Sequence, residues 1–233
     1  MIEPLSSAEW QVIALSLRVS LVAVLFTAPL AYGLAYLLAR RRFPGRMMLD
    51  AAVHLPLVLP PVVTGYILLL LFGRTGPIGG FLEANFGVSL VFQWTGAALA
   101  AGIMALPLMV RAMRLSIDAV DRRLVGAART LGASKWRAFF TITLPLSLPG
   151  IIAGAVLGFA RSIGEFGATI TFVSNIPGET RTLPLAIYTG LQVPGTDLQV
   201  ARLAVIAVII SLAALVVSEW LISRQQQGQD HVL

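Results

Sequence analysis

The chain has 233 residues, 57% of them hydrophobic and 12% charged, with a net charge of +6 and a mean hydropathy of +0.85. Soluble domains carry roughly 25% charged residues, so this composition excludes a water-soluble fold and makes lipid part of the solvent. The absence of cysteine excludes disulfides, thiolate metal sites and a cysteine nucleophile, and the basic residues fall in short blocks without interleaved aromatics, which argues against nucleic acid as a partner.

A membrane-crossing helix takes about 20 mostly apolar residues, and five stretches qualify. No cleavable leader is expected ahead of them, because the first ten residues carry Glu3 and Glu9 but no basic residue. The first span runs from about Val12 to Ala39, is uncharged from Val19 onward and contains Pro29; Arg40, Arg41, Arg42 and Arg46 follow it. The second, Ala51 to Phe72, contains His54, Pro56, Pro60 and Pro61. Prolines there free backbone carbonyls, which protein or water must meet; a bend lining a pathway and a plain kink both satisfy that. His54 reads as an interfacial side chain. The third span runs from about Gln93 to Val110.

After it comes the longest polar stretch on its side, about 113–145. Leu124, Ala127, Ala128 and Leu131 recur at helical spacing. Gly132 stands where a left-handed C-terminal cap falls, and Ser134 is placed to cap a second helix whose apolar face is Trp136, Phe139 and Phe140. The Leu144–Pro145 step is expected to end that helix before the membrane. Two short helices around a glycine corner make a knob that suits a groove on a cytosolic protein; the pattern alone equally permits an amphipathic segment lying on lipid headgroups.

The fourth span runs from about Leu146 to Val173, with Gly150, Gly154 and Gly158 at a four-residue repeat that suits close helix packing, within the subunit or between copies. Arg161 and Glu165, four apart, are expected to pair. Ionisable groups at membrane depth are costly and point to function; a position at the membrane edge is the alternative for this pair. In the loop that follows, Thr180, Arg181 and Thr182 suit contact with an external protein or an anion; a plain solvated loop is the alternative, and the usual one for a single exposed arginine. The fifth span covers about Val200 to Ile222, with Arg202 and Glu219 near its ends, and the polar tail Gln225 to Leu233 is expected to fray.

The order Gly126-Ala127-Ala128, three residues, Gly132, nine residues, Ile142, one residue, Leu144-Pro145 resembles the docking loop of bacterial ABC importer permeases, in which Glu-Ala-Ala precedes Gly and then Ile-x-Leu-Pro. Gly126 departs from that pattern, since the family has Glu there. Leu55 to Gly79 and Arg161 to Gly190 look like the molybdate branch; sulfate, thiosulfate and tungstate permeases are the neighbouring alternatives. The resemblance implies an all-α membrane protein of about five spans with the type I importer permease fold, a single permease domain over 1–233. It implies that Gly126, Ala127, Ala128, Leu131, Gly132, Lys135, Trp136 and Arg137 dock an ATPase subunit. Pro60, Pro61, Arg161, Glu165 and Phe166 become candidate pathway or gate residues. The implied partners are a second copy of the chain, a pair of cytosolic ATPase subunits and a periplasmic molybdate-binding protein, in a bacterial inner membrane.

Basic residues cluster after spans one, three (Arg111, Arg114, Arg122, Arg123, Arg129, Lys135, Arg137) and five (Arg224), whereas the opposite loops hold only Arg74 and Arg181 beside Glu83, Glu179 and Asp197. The positive-inside rule then places the N-terminus in the periplasm and the C-terminus in the cytoplasm. No cofactor is expected on this chain. Its one lysine, Lys135, does not sit in a phosphate-binding loop, so ATP and magnesium belong to the partner subunit. An intramembrane enzyme lacks its nucleophile and ligands, and a passive channel leaves the knob without a purpose.

Overall fold

The computed structural model describes residues 5–230, with side chains through residue 217 and at Trp220. Every regular element among them is helical. Helix α1 (Ser7–Arg40) opens on a capping box in which Ser6 and Glu9 satisfy each other's backbone N–H groups. Helices α2 (Arg46–Val58) and α3 (Pro61–Phe72) meet at a sharp bend, and α4 (Pro77–Phe86) leads to α5 (Trp94–Ala119). Two short helices, α6 (Arg122–Thr130) and α7 (Lys135–Ala138), a π turn over Phe139–Thr143 and a single turn α8 (Leu144–Leu146) precede α9 (Leu148–Ile163). The chain closes with α10 (Gly167–Val173), α11 (Leu183–Gly190) and α12 (Asp197–Asp230).

Three stretches are long and apolar enough to cross a membrane unaided: α1, α5 and Asp197–Val217 of α12. Two bent pairs, α2 with α3 and Lys135–Leu146 with α9, raise the number of spans to five if each pair crosses as one. The expected second span is not one straight helix: α2 and α3 turn by 115° at Leu59–Pro60, because Pro60 and Pro61 have no N–H to return to the carbonyls one turn back. The expected fourth span is likewise split, into α9 and α10, by the segment Gly164–Phe166. Leu144–Pro145 does not stop the helix before it. The π turn carries the chain past the proline, Leu144 N–H reaching Phe139 C=O, and the 60° bend falls at Ser147 instead. Nor does the tail fray at Gln225, since Arg and Gln are good helix formers and α12 continues to Asp230; the side chains of Glu219 and Arg224 and residues 231–233 lie outside the described set.

The core is built on α5. Its small residues Ala97, Ala98, Ala100, Ala101 and Ala105 are buried, which lets neighbouring backbones come close where hydrophobicity alone gives no drive. Helix α1 runs parallel to α5: Arg18 lies over the Trp94 ring at 3.7 Å, and Arg40 donates to the carbonyls of Ile117 and Val120 at 2.7 and 2.9 Å. Helix α9 runs antiparallel to α5. The glycine repeat faces α5 of the same subunit, since a Cβ on Gly154 would stand 3.1 Å from Met113 and one on Gly158 2.6 Å from the Met109 sulfur. At the opposite end of α1, Glu9, 1% exposed, meets Arg202 of α12 at 3.1 Å. Neither residue's partner was expected from sequence.

Candidate functional site

Two regions hold the residues singled out by the sequence. The first is the knob between α5 and α9. Asp121 caps α6 by accepting from Arg123 N–H at 2.8 Å, and Ser134 caps α7 by accepting from Arg137 N–H at 3.1 Å. Gly132 takes φ +91° between them, a left-handed turn that glycine enters without strain. The corner carries little core of its own, with no buried residue in α6 and Ala138 the buried one in α7. Leu131 is 88% and Trp136 73% exposed, and Trp136 stacks on the exposed ring of Phe140. Gly126, with open space where a side chain would stand, shares a shallow cleft with Arg129, Gly132 and Lys135.

The aromatic face divides. Phe139 turns inward, with its ring centroid 5.2 Å from Tyr36 in an edge-on contact and 6.1 Å from Tyr32, and Tyr32 in turn shares a hydrogen bond of 2.8 Å with the Ser147 hydroxyl at the bend. The three rings still form the expected cluster, with Phe139 6.4 Å from Trp136 and 5.0 Å from Phe140; Phe139 also anchors it to α1, which helical spacing did not announce.

The second region is formed by the two breaks, which the structure brings together. Gly167, at the start of α10, lies so close to α3 that a Cβ there would be 2.7 Å from Pro61 Cβ; one on Gly65 would be 2.6 Å from the Ala168 carbonyl oxygen. The broken ends of spans two and four therefore touch. Their depth follows from the register of α9 and α10 on α5, with Gly158 beside Met109 and Val173 beside Gly96. The segment Gly164–Phe166 falls abreast of the middle of α5, not at its end.

Glu165 occupies this break and is 3% exposed. One carboxylate oxygen accepts from Ala168 N–H at 2.8 Å, and the other meets Arg161 Nη1 at 2.6 Å. The pair forms across the end of α9 and not along one continuous helix, because Gly164 has already left the helix. Phe166 packs on Tyr188 with ring centroids 5.0 Å apart. Pro60, Pro61 and Gly164 are exposed on the surface of the single chain.

The remaining expected contacts are placed otherwise. Thr180 and Thr182 are buried, 0% and 5% exposed, so they do not face an external protein. Thr180 instead ties its own loop, accepting from Ile176 N–H at 2.8 Å and donating to the Ser174 carbonyl at 3.1 Å. Arg181 donates to Asn175 Oδ1 at 3.0 Å. His54 Nδ1 lies 2.8 Å from the Asp50 carbonyl oxygen one turn back, and Asp50 also meets Arg114 at 3.1 Å. Among the described residues no group of three His, Cys, Asp or Glu side chains is placed to hold a metal.

Residues 28–227 match the family model described as "Binding-protein-dependent transport system inner membrane component". The chain is 58% identical over 227 residues, 97% of its own length and 99% of the relative's, to the molybdenum transport system permease protein ModB of Escherichia coli strain K12. Against the sulfate transport system permease protein CysT of the same strain it is 38% identical over 171 residues, covering 73% of this chain and 61% of that one. In fold it is similar to a chain of a bacterial ABC transporter involved in the import of the acidic polysaccharide alginate, with a TM-score of 0.74 at 21% identity, covering 94% of this chain and 80% of that chain.

Proposed function

From the premise that this chain belongs to the family of inner membrane components of binding-protein-dependent transport systems, we propose that it is the permease that carries molybdate through the membrane. The observation that carries the reading is the 58% identity to a molybdenum permease along 97% of the chain, against 38% over 73% to a sulfate permease. Transport is driven by ATP hydrolysis on a separate ATPase subunit, with magnesium bound there, and a periplasmic binding protein delivers the anion. The chain is a multi-pass inner-membrane permease and not itself an enzyme.

The knob at Gly126 to Arg137 is the contact for that ATPase. Its support is physical: a corner with its backbone capped from within, yet with Leu131, Trp136 and Phe140 turned to solvent, has apolar surface left for a groove in a partner. The Arg40–Arg46 run, α6 and α7 then face the cytoplasm, with the N-terminus of α1 in the periplasm.

Pro60, Pro61, Arg161, Glu165 and Phe166 form the pathway or gate. Irregular backbone at membrane depth is tolerated where protein buries it or water fills a cavity beside it, but not against lipid. Here both breaks lie abreast of the middle of α5, itself long and apolar enough to span, and Pro60, Pro61 and Gly164 are exposed in the single chain. A second copy packed on this face, enclosing a water-filled path between the two sets of breaks, meets that requirement. Broken helices opposed at the midplane are how many carriers build a transport site. The Arg161–Glu165 pair neutralises the charge that the break would otherwise leave in hydrocarbon.

The test is uptake of labelled molybdate and sulfate in cells deleted for this subunit, with and without the restored gene. Molybdate uptake is expected to vanish and return, with sulfate uptake unchanged. Loss of sulfate uptake alone overturns the substrate.

A further inference from the structure

A concentration of charge lies where α1 hands over to α2, at the first turn of α6 and away from the glycine corner and the breaks. Arg40, Arg41, Arg42, Arg46 and Arg122 surround a cleft of about 430 Å³ that also holds Asp118. Backbone carbonyls fix three of these guanidiniums. Arg40 is tied to the end of α5, Arg46 donates to the Leu38 carbonyl at 2.7 and 3.1 Å, and Arg122 reaches the Ala39 carbonyl at 3.4 Å. Asp118 is itself engaged by Arg114 at 3.8 Å. Arg41 and Arg42 are exposed, and no described acid stands within ion-pair distance of either. The cleft therefore holds a fixed surplus of positive charge at the end of a spanning helix.

The first turn of α2, directly after the cleft, presents Met47 and Met48 at 84% and 77% exposure. A basic cleft beside an outward apolar step matches a molecule with an anionic head and hydrocarbon tails. Inorganic phosphate would use the arginines and leave the methionines bare. We propose that this cleft binds an anionic phospholipid, its phosphodiester among the guanidiniums and its acyl chains along Met47 and Met48. Guanidinium forks suit phosphate oxygens, and basic pockets at the ends of spanning helices take such headgroups. The lipid would brace the α1–α2 turn against α5 and α6.

The experiment uses the purified assembled transporter in detergent, titrated with phosphatidylglycerol, with phosphatidylcholine of the same chains, or with inorganic phosphate. Bound lipid is counted by native mass spectrometry and the melting midpoint is recorded. Phosphatidylglycerol is expected to be retained and to raise the midpoint, while phosphatidylcholine and phosphate do neither. Arg41→Gln/Arg42→Gln should weaken phosphatidylglycerol binding about thirtyfold while melting as wild type in phosphatidylcholine. Should that variant fail to assemble, Met47→Ser/Met48→Ser still decides, since it should also lower lipid retention. Equal retention by wild type and variants overturns the proposal, as does equal protection by inorganic phosphate.

Discussion

Pro61 and Gly167, 106 residues apart in sequence, are neighbours so close that a methyl group on Gly167 would stand 2.7 Å from the proline ring. The contact joins two helix breaks that would each be intolerable alone in lipid. Gly167→Ala is expected to push α10 off α3 at a cost of about 1–3 kcal/mol. Melting of the purified transporter should show the loss, and uptake should fall with it. Wild-type melting and uptake in Gly167→Ala would mean that the two breaks are not packed as described.

Arg161 and Glu165 can be separated from the helix-capping role of Glu165. Arg161→Met leaves a carboxylate with no cation in a nearly closed site, which costs about 3–5 kcal/mol for a fully buried pair. Arg161→Met/Glu165→Gln removes that charge while the amide oxygen still accepts from Ala168 N–H. The double variant should therefore transport and melt better than Arg161→Met alone. A double variant worse than either single change would show that the pair does not act as a unit.

Trp136 and Phe139 sit three residues apart with opposite duties. Trp136→Ala removes an exposed ring and should change stability by no more than about 0.5 kcal/mol, yet abolish co-purification of the ATPase subunit. Phe139→Ala removes the anchor on Tyr36 and should lower stability by about 2 kcal/mol. If Trp136→Ala retains the ATPase and supports normal uptake, the knob is not its docking site.

Gly158→Ala forces a methyl group to within 2.6 Å of the Met109 sulfur. Methionine is adaptable, so a loss of about 1 kcal/mol is expected. Met109→Ala is itself destabilising, since Met109 is fully buried, but in that background Gly158→Ala should cost less, because the cavity receives the new methyl. Thermal unfolding of the two single variants and the double variant reads this coupling directly.

Much of this arrangement was legible from residue order. The apolar stretches announced the three unaided spans and the proline bend between α2 and α3, Gly132 and Ser134 marked a corner and a cap, and the Arg161–Glu165 spacing announced a pair. Depth was not legible: nothing in the fourth span says that Glu165 lies level with the middle of α5, which follows only from Gly158 meeting Met109 and Val173 meeting Gly96. The 115° turn at Leu59–Pro60 was legible as a bend but not in size, because proline breaks a helix and its surroundings set the angle. Thr180 looked like an exposed loop residue, and its burial depends on hydrogen bonds to Ser174 and Ile176 that local sequence does not announce. Glu9 and Arg202 stood nearly two hundred residues apart, and only the packing of α12 on α9 and α11 brings them together.

The anchoring of Phe139 on Tyr36, together with the Tyr32–Ser147 hydrogen bond, makes the 60° elbow ahead of α9 stiff. A flexible tether would dissipate a tug at the corner. This one is clamped to α1 by a ring and by a hydroxyl, and it leads straight into α9, whose glycines lie on α5. Arg161 stands near the other end of α9. The solvent-facing corner and the buried charged pair are thus the two ends of one braced segment of chain.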